Sequence, residues 1–280
     1  MSLIGGNNRS KKGHLVLIGG KEEKKGDLVV LKRTIQLNNA KKVIVIPSAS
    51  HSYSSDVGRE YEVLFKDLGA DMVSVVDIKK RDEADDPVII KRVEDADLVF
   101  FSGGDQVKLV ELMWESKLIK LIKKRYSGGM TIAGTSAGAA ASGEMMVYDG
   151  DSMGFRKGCV DYTNGFGFIK GISIDTHFTE RGRIYRLGEF IASGVESFGM
   201  GIGENTGAII YPDMTLEVIG TGIITLLIRK PTFITNYSQV AYSDSISADG
   251  FSLSFLADGT FYDIKKRKII DRVHKTTYSR

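Results

Sequence analysis

The sequence predicts an α/β fold: a doubly wound, mostly parallel sheet flanked by helices, followed by a strand-rich C-terminal part. Three observations predict it. Short apolar runs recur through the first half and end in glycine or proline, with segments of helical spacing between them. Those runs are continuous rather than alternating, as strands covered on both faces require. After about residue 145 the helical spacing gives way to closely spaced strands and turns.

The elements follow in order. Leu15–Ile18 reads as a strand ending in Gly19-Gly20, Leu28–Leu37 as a helix, and Val43–Ile46 as a strand closed by Pro47. Tyr61, Leu64, Phe65 and Leu68 share a helix face, and Gly69 caps that helix. Met72–Val76 is a strand, Val88–Val93 helical, Leu98–Phe101 a strand, Leu109–Ile122 one helix and Thr131–Ala133 a fifth strand. Beyond that, Val160–Gly167 reads as turn-rich, and Ile172–Phe178 and Met200–Ile202 as short strands around a helix at Ile184–Ala192. Ala208–Tyr211, Leu216–Ile219 and Ile223–Ile228 read as hairpin strands. Phe251–Val273 reads as further strand, with Asp258-Gly259 as a hairpin turn and the basic run Lys265–Lys268 as a solvated strand edge. No linker separates the halves, so residues 13–280 are expected to form one domain behind a disordered tail, residues 1–12.

Composition excludes several classes. The chain has 280 residues, 42% hydrophobic and 26% charged, enough for a full core without disulfides. Its one cysteine, Cys159, excludes a disulfide framework and any multi-thiolate metal site. A net charge of +3, from 38 Lys+Arg against 35 Asp+Glu, is too even to indicate nucleic-acid binding. No apolar run is long enough to span a membrane, and the N-terminus lacks a signal-peptide pattern, so a cytoplasmic protein is expected. Gly19-Gly20-Lys21 lacks the spacing of a phosphate loop, and no metal-ligand motif is present, so no cofactor or metal is expected.

In an open α/β sheet, chemistry gathers at the carboxyl ends of the strands. Gly134-Thr135-Ser136-Ala137-Gly138 lies at one such end, a G-x-S-x-G match that places Ser136 on a sharp strand-to-helix turn. Ala139, Ala140 and Ala141 follow, small helix formers able to pack on the sheet. A second match around Ser152 is followed by Phe155-Arg156-Lys157-Gly158, which does not start a helix. A serine nucleophile needs a base. His177, flanked by apolar residues before a helix, and His51, in a polar loop after the second strand, are both candidates; His14 lies at the wrong end of the sheet and His274 in the tail. The carboxylate that orients the imidazole is sought at Glu204, which closes an apolar strand among glycines; that position also suits a turn residue. Asp175 stands only two residues before His177, too close to reach the far ring nitrogen.

Gly134–Gly138, Phe101–Gln106, Ile174–Arg186 and Gly201–Thr206 together resemble the matching segments of cyanophycinases, serine peptidases related to peptidase E with a fold like class I glutamine amidotransferases. The resemblance implies a triad of Ser136, His177 and Glu204 and an oxyanion hole of the Gly104 and Ala137 amides. It implies substrate contacts from Gln106, Asp175, Arg181, Arg186 and Asn205; the arginines would bind carboxylates and Asp175 a guanidinium. Without it, these arginines read equally as a solvated helix face with Glu180 and Glu189. The implied substrate is cyanophycin, or a related β-aspartyl peptide, cut to β-aspartyl-arginine, and the implied assembly a homodimer. Thr176 stands where cyanophycinases usually carry Gln. The alternatives are a peptidase E-like dipeptidase acting on Asp-X and a non-catalytic binding relative.

Overall fold

The structure, a computed structural model, describes residues 12–50, 53–150 and 154–272. In chain order the first half comprises β1 (Leu15–Ile18), α1 (Val29–Gln36), β2 (Lys42–Ile46), α2 (Ser54–Asp67), β3 (Met72–Val75), α3 (Pro87–Val93), β4 (Leu98–Phe101), α4 (Gln106–Met113), α5 (Lys117–Ser127), β5 (Thr131–Thr135) and the single turn α6 (Ala137–Ala140). The second half comprises β6 (Met145–Gly150), β7 (Val160–Asn164), β8 (Ser173–Thr176), α7 (Ile184–Ser193), β9 (Phe198–Ile202), β10 (Thr206–Ile210), β11 (Thr215–Gly220), β12 (Ile223–Thr235), β13 (Ala248–Ala257), β14 (Thr260–Asp263) and β15 (Lys268–Arg272).

The main sheet has the order β15-β14-β11-β10-β1-β5-β4-β2-β3. Pairings from β1 through β5, β4 and β2 to β3 are parallel. On the other side of β1 the pairings through β10, β11, β14 and β15 are antiparallel; β10–β11 and β14–β15 are joined by connections too short for a crossover, while β12 and β13 of the second sheet intervene between β11 and β14. The continuous apolar run of β1 divides by the pleat. Leu15 and Leu17 enter the core on one face, and Val16 and Ile18 the core under α1 and α2 on the other. A second sheet, β13-β12-β9-β8, packs into the first of these cores through Ile174, Met200 and Ile202.

Four expectations need correction. Leu109–Ile122 is not one helix: Glu115 adopts φ 53, and Ser116 starts α5 by accepting a hydrogen bond from Ile119 N at 3.1 Å. Val160–Gly167 begins as a strand, β7, paired with β6. Asp258-Gly259 turns the chain but joins no hairpin. Asp258 Oδ1 accepts from Gly220 N, and the turn carries the chain from β13 in the small sheet to β14 in the large one. Most of the basic run is likewise not strand: residues 264–267 form the turn between β14 and β15. Residues 1–11 of the N-terminal tail, His51, Ser152 and His274 lie outside the described residues.

Candidate active site

Ser136 stands where β5 breaks into α6. Its backbone takes φ 50 and ψ −110, a strained conformation for a residue with a side chain. The glycines around it are required by contact. A Cβ on Gly134 would lie 2.5 Å from the Gly138 carbonyl, and one on Gly138 would lie 2.4 Å from Phe101 O. The turn is tied to β1 by Ser136 N donating to Ile18 O at 2.9 Å.

His177 follows β8 with φ 48 and is buried. Its amide donates to Gly19 O at 2.8 Å, so the β1 carboxyl end also positions the base. Glu204 lies between β9 and β10. The side chains form one line: Ser136 Oγ to His177 Nε2 at 2.9 Å, and His177 Nδ1 to Glu204 Oε1 at 2.7 Å. The bond to His177 first, and Lys21 second, hold the Glu204 carboxyl below its usual range; Lys21 Nζ lies 3.0 Å from Oε1. Burial first, with repulsion from Arg181 and Arg183, holds His177 down despite the opposing pull of Glu204. The imidazole is therefore neutral near pH 7. An ionised Glu204 fixes its proton on Nδ1, which leaves the Nε2 lone pair facing the Ser136 hydroxyl.

Gly103-Gly104 follows β4 beside the elbow. A Cβ on Gly103 would lie 3.3 Å from Ser136 Cβ, and Gly104, with φ 141, leaves no room for one against Ala49 O. Ala137 is the first residue of α6, so its amide has no partner four residues back within the helix. Both amides stand on segments that border Ser136 Oγ.

The expected substrate residues divide. Arg181 is exposed on the turn after His177, its amide donating to His177 O at 3.0 Å. Asp175 and Arg186, expected as substrate contacts, are buried against each other. Arg186 Nε donates to Asp175 Oδ2 at 3.0 Å and Nη2 donates to Oδ1, which leaves neither an exposed charge to offer. Gln106 Nε2 donates to Tyr148 O at 3.0 Å, tying α4 to β6. Asn205 is a tie between loops: its Oδ1 accepts from Glu23 N at 2.9 Å and its Nδ2 donates to Thr221 Oγ1 at 3.1 Å. Sequence reasoning missed Lys21 as a neighbour of the line. It also missed Arg183, whose Nη1 donates to Thr176 O at 2.6 Å and to Asp175 Oδ1 at 3.2 Å. Burial pushes the Arg183 guanidinium down to about 10. Cys159 precedes β7, its amide donating to Glu189, outside any elbow. Among the described residues no group of His, Cys, Asp and Glu could hold a metal ion, and no helix is long and apolar enough to cross a membrane.

The profile of peptidase family S51 matches residues 15–219, a span that contains the elbow, the histidine and the glutamate. The chain belongs to peptidase family S51. It is therefore a member of a serine peptidase family, and its relatives within S51 are cyanophycinase-like. It is 31% identical over 265 residues to the cyanophycinase of Trichormus variabilis, covering 93% of this chain and 89% of that one. It is 32% identical over 255 residues to the cyanophycinase of Geminocystis herdmanii, covering 90% and 93%. Among solved structures, a peptidase from an acI-B1 actinobacterium superposes with a TM-score of 0.68 at 23% identity. That match covers 90% of this chain and 97% of the other, and it shows a shared fold.

Proposed function

We propose that this S51 peptidase hydrolyses cyanophycin, or a related β-aspartyl peptide, with Ser136 as nucleophile, His177 as general base and acid, and Glu204 as the carboxylate that orients the imidazole. The observation that carries the proposal is the unbroken line from Ser136 Oγ through both nitrogens of His177 to Glu204, with steps of 2.9 and 2.7 Å. The Ser136–His177 step has the length and partner that proton transfer requires, and the His177–Glu204 step those that orient the imidazole.

His177 Nε2 takes the hydroxyl proton as Ser136 Oγ attacks the scissile carbonyl carbon. The imidazolium that forms is stabilised by Glu204. The oxyanion is received by the amides of Gly104 and Ala137. His177 then protonates the leaving amine, the C–N bond breaks, and an acyl-Ser136 ester remains. Water gives a proton to His177 and attacks the ester; collapse returns the proton to Ser136 Oγ and releases a carboxylic acid.

The substrate class is supported by cyanophycinases at 31% and 32% identity over at least 90% of this chain. It is also supported by the cations beside the line. Exposed Lys21 reaches Glu204, and exposed Arg181 and half-buried Arg183 bring positive charge to bear on His177, a setting suited to a carboxylate-rich chain. The test is purified protein incubated with cyanophycin and, in parallel, with an α-Asp-X dipeptide, with products read by mass. Release of β-aspartyl-arginine, with slower cleavage of the dipeptide, is expected. Faster cleavage of the dipeptide would assign a peptidase E-like activity instead.

A further inference from the structure

The chain leaves β1 through a short loop, Gly19 to Lys24, that touches His177, Glu204 and the residue before Ser136. Gly19 O accepts from His177 N, and Gly20 O accepts from Asn205 N, next to Glu204. Lys21 reaches Glu204 Oε1, and Glu23 N donates to Asn205 Oδ1. Glu22 alone turns inward and is 4% exposed. One of its carboxylate oxygens accepts from Tyr61 Oη, and the other accepts from Thr135 Oγ1 at 2.5 Å.

This is an expensive way to fill a buried position. A carboxylate removed from water and met, among the described residues, by two hydroxyls and no cation recovers only part of its hydration. What a carboxylate does and an amide does not is accept on both oxygens, so both hydroxyls must donate. Tyr61 sits on α2 against Phe65 and Phe100, and burial first, with the charge of Glu22, pushes its phenol well up, keeping it a donor. Thr135 is thereby held in one orientation, and Thr135 is the residue before Ser136, whose φ of 50 must be maintained.

We propose that Glu22 is a positioning residue for the hydrolysis. By pinning Thr135 it sets the direction in which the elbow presents Ser136 Oγ to His177. It also fastens that elbow to the loop whose neighbouring residues hold His177 and Glu204. The inference rests on Ser136 being the nucleophile.

The test uses the full chain as Glu22→Gln, Thr135→Val and the double variant. Competent sites are counted by titration with a fluorophosphonate, and kcat is expressed per titrated site. Glu22→Gln is expected to lower kcat per site about 10- to 100-fold with KM within about twofold, the scale of a small misplacement of a reacting group. Thr135→Val should reproduce that loss, and the double variant should be no worse than either alone, because both break one contact. A purely structural role would lower the melting temperature or the titrated fraction and leave kcat per site unchanged; that result overturns the proposal. If Glu22→Gln does not fold, Thr135→Val decides alone by the same criterion. If the wild-type chain is hydrolytic but takes no label at Ser136, the nucleophile assignment fails and this inference fails with it. Label at Ser136 with normal turnover in the variants sinks only the role of Glu22.

Discussion

Gly20 lies against the ring of His177: a Cβ built on Gly20 would stand 2.4 Å from both Cε1 and Nε2. The glycine is also held at φ 98, where side chains are rarely accommodated. The wall behind the imidazole is thus bare backbone, and it sets how far the ring can retreat from Ser136. Gly20→Ala should push Nε2 out of line with Oγ. The expected result is a fall in kcat of roughly 100-fold or more, with KM little changed. Kinetics on the polymer check this; an unchanged kcat would mean that the ring moves freely.

Replacing Ser136, the proposed nucleophile, has the largest effect expected. Ser136→Ala should reduce turnover about 10⁴-fold or more, abolish fluorophosphonate labelling and leave thermal unfolding near that of the parent. Ser152→Ala should change neither. Residual hydrolysis at the parental rate in the Ser136 variant would remove it from the mechanism.

Glu204→Gln should lower kcat by roughly 10³- to 10⁴-fold with a modest change in KM, because an amide no longer enforces the Nδ1–H tautomer or balances the imidazolium. Lys21→Ala should cost far less, since Lys21 supports Glu204 from an exposed position. A larger kcat loss from Lys21→Ala than from Glu204→Gln would reverse these roles.

The pH profile follows from the shifts at the two titrating groups. Burial first, then Arg181, holds His177 below its usual range near 6.5, so the acid limb of kcat/KM should fall below that value. Arg181→Ala removes a repulsion and should move the limb upward, as should added salt. The same shift reduces stability at low pH. The unfolded chain binds the His177 proton at a higher pH than the folded one, so this contribution is lost as pH falls below about 6.5. Glu204, held low by its bond to His177, loses its contribution only as pH falls further, through its own lowered value. An acid limb above 6.5 in the parent would contradict the neutral, buried imidazole.

Asp175 and Arg186 should behave as a buried pair. Asp175→Asn leaves two guanidiniums, Arg183 and Arg186, without their carboxylate and should destabilise the fold by about 3–5 kcal/mol. Asp175→Leu combined with Arg186→Met should cost less than either change alone. Urea denaturation of Asp175→Asn, the two other single variants and the double variant checks this. A wild-type melting curve for Asp175→Asn would return Asp175 to the substrate side.

Much of this was legible in the residues. The elbow could be read because its demands are local: a strand end, two glycines at fixed spacing and small helix formers behind them. The apolar strands could be read because both faces of the parallel region are covered. The separation of α4 from α5 escaped because Glu115 carries no signal for a positive φ, and only the Ser116 cap marks the break. The β6–β7 hairpin escaped because exposed positions dilute its apolar pattern. His177 and Glu204 were candidates by position and by resemblance, since the contacts that join them lie 27 residues apart in the chain. The roles of Lys21, Glu22 and Arg183 escaped, because they depend on which loop lies beside each residue, and no spacing rule encodes that.

Ser136 rides on the nine-stranded sheet and His177 on the four-stranded one, with Glu204 on the connection between them. The site is therefore a gauge of how the two sheets are seated. A slide of about an ångström along their seam would part Oγ from Nε2 without breaking a single strand ladder. A compound wedged between the layers, far from any peptide, would silence the enzyme as surely as one bound to the serine. During refolding, cleavage would return last, after both sheets are complete and docked.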